Sequence, residues 1–264
     1  YSQVLADLRL VPLLCDVSFS FPCMSRETIE KAIDAKPADV QPRCIVLHHT
    51  LGYKPDTASI AAMELPLIED ISQSYVPPLE QASGPAPHIV QGMFAILGLE
   101  ERDMLTSGGG ALLFAANRKE GSLLRAHSNI SPEYCLPDIN AALATVQFRE
   151  AGRNAARRQE IAQVYTQASL STKHKRFVPL DEYSNYAFSL VLETGMKDVV
   201  SYARKKEIIV ENAFEQSLTG SGMGDSVLCP VSYSLSLRTV LFPLYPRLRS
   251  QEVQRVSRLI TTLP

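Results

Sequence analysis

The stretch LPLIEDISQSY, residues 65–75, decides the fold. Leu65, Leu67 and Ile68 read as a short buried strand, with Glu69 and Asp70 at its carboxyl end. Ser72 and Gln73 follow directly. In an open α/β sheet, ligands bind at the carboxyl ends of the strands. An acid and an amide delivered to such a tip call for a ligand that needs both.

Working outward, strand-like runs alternate with helix-like periods. LVPLLCDV reads as a core strand, and SRETIEKAIDAK follows with Ser25 as cap and Ile29, Ala32 and Ile33 at helical spacing. RCIVLHHT is the next strand, DTASIAAMEL a helix capped by Asp56 or Thr57, and LPLIED a strand again. This rhythm predicts βαβ units and a mainly parallel sheet with helices on both faces. SYVPPLEQASGPAPH reads as a loop, HIVQGMFAIL as a strand, and TSGGGALLFA as a glycine turn entering a strand. The helical period then holds from Pro137 for about thirty residues, with Gly152 as a weak point or bend. Beyond it, NYAFSLVLET and RTVLFPLYP read as strands, KDVVSYARKKEI and SQEVQRVSRLITTL as helices. The expected organisation is a large α/β domain over residues 1–165 and a smaller α+β domain over 166–264. Because the chain opens almost on its first core strand, a further segment is expected upstream of Tyr1.

Bulk properties exclude several classes. A net charge of −2 gives no electrostatic case for nucleic acid or an anionic membrane surface. No apolar run reaches the roughly 18 residues a bilayer span needs. The five cysteines (Cys15, Cys23, Cys44, Cys135 and Cys229) are scattered and form no CxxC pair. Neither a metal site nor a disulfide framework is expected, and reduced thiols fit a cytoplasmic location.

Asp70 admits two readings at this level. It caps the next helix or pairs with an Arg, or it holds a protonated heteroaromatic nitrogen. The pyridine nitrogen of pyridoxal phosphate is such a group, and Gln73 is then placed for the ring hydroxyl. The TSGGG run, residues 106–110, has neither the P-loop lysine nor the dinucleotide-binding spacing and reads most simply as a tight turn. His48 and His49 are adjacent on a strand, so they point to opposite faces and at most one serves a given site.

Taken in order, these motifs resemble the DegT/StrS-type aminotransferases, fold-type I pyridoxal-phosphate enzymes that act on nucleotide-linked keto sugars. RLVPLLCDVS is similar to the family strand ending in V-D, and IVLHHTLGYKPD to its V-H-x-x-G-x-x-x-D stretch through His49, Gly52 and Asp56. LIEDISQSY is similar to I-E-D-x-x-Q, TSGGGALLFA to the glycine turn, EYCLPDINAALATVQ to the start of the long helix, and LFPLYPRL to the C-terminal strand. The resemblance implies pyridoxal phosphate as cofactor, with Asp70, Gln73 and His49 around its ring. It also implies a sugar nucleotide and an amino donor as ligands, and a homodimer whose sites draw on both subunits, with Glu133 lining the site or the dimer contact.

The departures are as specific as the matches. The family places Ser-x-x-x-x-Lys between the acidic motif and the glycine turn, the Ser for the phosphate and the Lys for the Schiff base. Here Ala95 stands for the Ser, and the Lys position falls on Glu100, Glu101 or Arg102. No Lys occurs between Lys54 and Lys119. Glu133 stands where the family has an Asn reaching toward the phosphate, and Cys135 where it has an Arg. The family's phosphate loop and ring-stacking aromatic would lie upstream of residue 1. The expectation is an aminotransferase relative with impaired or lost transamination, or a non-catalytic relative kept as a binding or dimer-partner protein.

Overall fold

The computed structural model describes residues 1–76, 89–126, 134–178, 183–218 and 227–264. The chain separates into two compact units. One comprises Arg43–Glu160 with Asp181–Tyr186, the other Tyr1–Pro42, Ile161–Leu180 and Ala187–Pro264.

The first unit is built on a four-stranded sheet in the order β1-β2-β3-β4. Its strands are β1 (Ile45–His48), β2 (Leu67–Asp70), β3 (Phe94–Gly98) and β4 (Ala111–Ala115). The first three are parallel and β4 returns antiparallel on β3, so the sheet is mainly parallel as expected. Helix α3 (Thr57–Ala61) lies in the connection between β1 and β2 and starts at Asp56, whose carboxylate accepts the Ser59 N–H. The long α5 (Asp138–Ser169) runs through Gly152 without a break. Its Ala144 and Ala151 pack with Ala95, Leu97 and Leu99, and the small side chains let the helix approach β3 closely. Helix α4 (Arg118–Ala126) follows β4.

The second unit holds an antiparallel three-stranded sheet in the order β5-β7-β6, formed by β5 (Phe188–Val191), β6 (Glu211–Asn212) and β7 (Thr239–Phe242). The C-terminal half of α5, α6 (Met196–Lys205) and α8 (Ser250–Thr261) supply its core with Ile161, Tyr165, Val199, Val256 and Ile260. Phe188 meets Tyr165 and Phe242 edge-on at 5.3 and 6.3 Å. Helices α1 (Ser2–Asp7), α2 (Arg26–Ala35) and α7 (Pro230–Ser236) belong to this unit as well. The Ser25 hydroxyl and the Thr28 side chain form the capping box that starts α2.

The strand expected over LVPLLCDV does not form; residues 10–18 are irregular. Pro12 has no N–H for a ladder, and Val11 is 92% exposed, so the run neither pairs nor buries as a core strand does. Ser25 and Asp56 cap as expected, and β1, β2, β5 and β7 fall within the apolar runs that predict them.

Candidate functional site

β1 and β2 end side by side, with His48 directly opposite Asp70. Side chains alternate between the two faces of a strand. His48 and Asp70 therefore share one face, while Glu69 and His49 share the other. The tip thus carries two separate polar clusters.

On the first face, Asp70 Oδ1 accepts the Ser72 N–H at 3.1 Å and the Ser72 hydroxyl at 2.5 Å. The Ser72 oxygen in turn accepts the Gly98 N–H at 2.8 Å, which ties β2 to the end of β3. His48 Nε2 stands 4.0 Å from Asp70 Oδ2, and its Nδ1 lies 3.0 Å from the Thr50 hydroxyl. Burial lowers the pKa of His48, with the neighbouring His49 acting the same way and the Asp70 charge opposing both.

On the second face, Glu69 Oε1 accepts the N–H groups of Gln91 and Gly92 at 2.7 and 2.6 Å. Its Oε2 lies 3.6 Å from His49 Nε2, and His49 Nδ1 is 2.6 Å from the Ser74 hydroxyl. All three side chains are buried. Desolvation alone pushes the Glu69 pKa up, yet His49 and the two N–H donors together hold it below the ordinary glutamate value. His49 is therefore packed in a structural network away from Asp70, and His48 is the histidine on the Asp70 face.

Gln73 lies in the turn that follows β2, and its side chain reaches the turn that follows β1. Its Oε1 accepts the Leu51 N–H at 2.7 Å, which turns the amide nitrogen away from that contact as the donor end. Leu51 and Gly52 both adopt left-handed backbone, with φ of 55° and 83°. Ser184 closes this turn: its hydroxyl donates to Gln73 O at 2.6 Å and its N–H to Gly52 O at 3.0 Å. Tyr53 stacks on Tyr183 beside it, with ring centroids 5.0 Å apart.

The end of β3 is built differently. The run Glu100–Arg102, the expected lysine position, forms a turn closed by Asp103, whose Oδ2 accepts the Glu100 N–H at 2.8 Å. A Cβ on Gly98 would meet Asp103 Oδ2 and the Ser72 hydroxyl, so only glycine lets that carboxyl lie over the strand tip. Burial pushes the Asp103 pKa up; the Glu100 N–H opposes this, and the charges of Asp70 and Glu100 add to the rise. The TSGGG segment is a tight return into β4: the N–H groups of Ser107 and Gly109 both bond Leu99 O at 3.0 Å, and Gly108, Gly109 and Gly110 all have positive φ. Asn140 of α5 holds it through Ser107 O at 2.8 Å. Ala95 is fully buried in the apolar core. Glu133 lies outside the described residues.

These residues fit one side of pyridoxal phosphate only. Asp70 and Gln73 present a carboxylate and an amide on the ring side. The aldehyde side needs an amine that can lose its proton, and the tip of β3 offers two glutamates, an arginine and an aspartate. A guanidinium stays protonated and forms no imine. The donor set therefore does not fit the cofactor as a Schiff base. Among the described residues there is no cluster of metal-ligating side chains and no helix long and apolar enough to cross a membrane.

Comparison with known proteins puts this geometry in context. Solved structures with the same fold include an aminotransferase from Brucella abortus described as DegT DnrJ EryC1 StrS, with 20% identity, a TM-score of 0.80, and 98% of this chain and 74% of that one covered. The aminotransferase TlmJ from Streptoalloteichus hindustanus aligns with 18% identity and a TM-score of 0.79, covering 97% of this chain and 74% of the other. A variant of GDP-4-keto-6-deoxymannose-3-dehydratase (ColD) with bound GDP-perosamine aligns at 13% identity and a TM-score of 0.74, covering 97% and 76%. A search of the curated proteins gives no match. The family model for DegT/DnrJ/EryC1/StrS aminotransferases matches residues 114–261, more than half of the sequence, and the chain belongs to that family.

Proposed function

We propose that this chain keeps the sugar-aminotransferase fold but has lost, or nearly lost, transamination. On this reading it serves as a cytoplasmic homodimeric binding or partner protein for nucleotide-linked sugars. One observation carries the reading: no lysine lies between Lys54 and Lys119, and Glu100, Glu101 and Arg102 occupy the turn after β3. In transamination a lysine amine forms the imine with the cofactor and then moves the proton. Neither a carboxylate nor a guanidinium performs the first task, and the second loses its base.

What this chain's residues do is hold and orient. Asp70 sets a negative charge at the floor of the site, Ser72 fixes its rotamer, and Gln73 holds the turn before Tyr53. Pyridoxal phosphate, where a protein binds it, supplies an electron sink that needs a protonated ring nitrogen. The retained Asp70 and Gln73 favour a second reading, a catalytic member that draws its amine from elsewhere.

One experiment separates the two. Purified protein is incubated with pyridoxal phosphate, scanned in the visible, reduced with borohydride and digested for mass spectrometry. The expected outcome is no imine band and no lysine peptide carrying the reduced cofactor. A stoichiometric adduct on a single lysine overturns the proposal. Saturable binding of a nucleotide sugar by calorimetry is expected in either case.

A further inference from the structure

Resting on the reading above, we infer that His48 is a built-in partner for Asp70, standing where a protonated ring nitrogen would otherwise be held. Once His48 Nε2 takes up a proton, Asp70 is engaged by Ser72 and His48 together, and the carboxylate is not offered to a pyridinium ring. Three observations carry this. The two residues are register partners on adjacent parallel strands and lie on the same face. Oδ1 of Asp70 is already occupied by two donors from Ser72. The other oxygen, Oδ2, faces His48 Nε2 at 4.0 Å.

The tautomer follows from Thr50. Its hydroxyl donates to His48 O at 3.4 Å and so accepts from Nδ1 at 3.0 Å, which leaves the Nε2 lone pair toward Asp70. At 4.0 Å the pair is too far apart for a hydrogen bond but close enough for strong attraction once Nε2 gains a proton. Proton uptake therefore converts the cluster from a neutral ring beside a carboxylate into an ion pair. Among the described residues, three other titratable groups act on it. Asp103 at the end of β3 interacts electrostatically with Asp70, Glu100 acts on Asp103, and His49 opposes charging of His48 from the neighbouring position.

Two measurements on the full chain test the assignment. The ring proton of His48 is titrated by NMR in the wild type and in Asp70→Asn, which keeps the shape and removes the charge. Its proton affinity should fall about tenfold or more in the variant, the usual effect of losing an opposite charge at this range. An unchanged titration overturns the inference. Pyridoxal 5′-phosphate is then titrated into wild type and His48→Val at a pH below the His48 midpoint found by NMR, with bound ligand measured by ultrafiltration. Affinity should rise at least about tenfold in His48→Val, and the bound ligand should not be fixed by borohydride. Equal affinity in both proteins overturns the inference. A borohydride-fixed lysine in the wild type would instead sink the proposed function while leaving the His48 titration as a separate question.

Discussion

The ends of β2 and β3 are neighbours in one sheet, yet they are built on opposite terms. At the end of β2 three polar side chains are tied down: Glu69 by two backbone N–H groups, Asp70 by Ser72, and Gln73 by Leu51. At the end of β3 the chain turns through exposed acidic residues and closes on Asp103. The tied end holds the I-E-D-x-x-Q motif, and the open end holds the run on which the sequence reading expects the lysine position. The contrast teaches that the motif does structural work in its own right. Glu69 fastens the segment before β3, and Gln73 fastens the left-handed turn after β1. A chain can therefore keep Asp70 and Gln73 without keeping the chemistry, because losing their neighbours would loosen the sheet.

The largest expected effect lies on the tied end. Glu69→Ala leaves the Gln91 and Gly92 N–H groups without their acceptor in a buried setting and should cost about 3–5 kcal/mol. Chemical denaturation followed by circular dichroism measures it, and Glu69→Gln, which keeps one acceptor oxygen, should recover part of the loss. A cost below about 1 kcal/mol would mean that the β2 end is not structurally fixed. Next comes Gly52→Ala. The new Cβ would stand 2.9 Å from Gln73 O and closer still to the Ser184 hydroxyl, at a φ of +83°. Backbone strain and overpacking together should cost about 2–4 kcal/mol in the same assay.

The two clusters also set a pH dependence of one sign. Glu69 has a folded pKa below its ordinary value of 4.5, so its stabilisation is complete above that pH and is lost as the pH falls through the folded value. His48 has a folded pKa below 6.5, so the unfolded chain takes up its proton first and stability begins to fall as the pH drops below 6.5. Thermal melting points should therefore decline from pH 7 downward, with a further decline below pH 4.5. In Glu69→Gln the lower part of that decline should shrink while the upper part persists. A flat profile between pH 7 and 5 would remove the His48 assignment, and the absence of a further decline below pH 4.5 would remove the Glu69 one.

How much of this was legible in the sequence depends on the range of the interaction. The strands β1, β2 and β7 announce themselves through apolar runs, and Ser25 and Asp56 through local capping chemistry. The parity rule separates His48 from His49 from sequence alone. Which of them faces Asp70 depends on the β1–β2 register, and the family resemblance points to the other one. Nor could LVPLLCDV be told from a strand by its apolar content. Asp16 at its end accepts the N–H groups of Val231 and Ser232 at 3.0 and 2.8 Å, so the segment is anchored to the start of α7 rather than to a sheet. A contact across more than two hundred residues leaves no local signal. The Asp103 carboxyl over Gly98 is equally silent, since a glycine in a strand reads as a bulge or a weak point as readily as a seat for a side chain.

The smallest expected effect tests the open end. Glu100 is exposed and its carboxylate reaches only to the vicinity of Gly109. Glu100→Ala removes no buried bond, since Asp103 is held by the backbone N–H of Glu100 rather than by its side chain. It also removes one of the charges that raise the Asp103 pKa, which acts weakly in favour of the fold. The variant should therefore unfold within about 0.5 kcal/mol of the wild type, on the stable side if it moves at all. A loss above about 1 kcal/mol would show that the turn after β3 is fixed as tightly as the end of β2. The difference between the two ends would then lie in their residues and not in how firmly each is held.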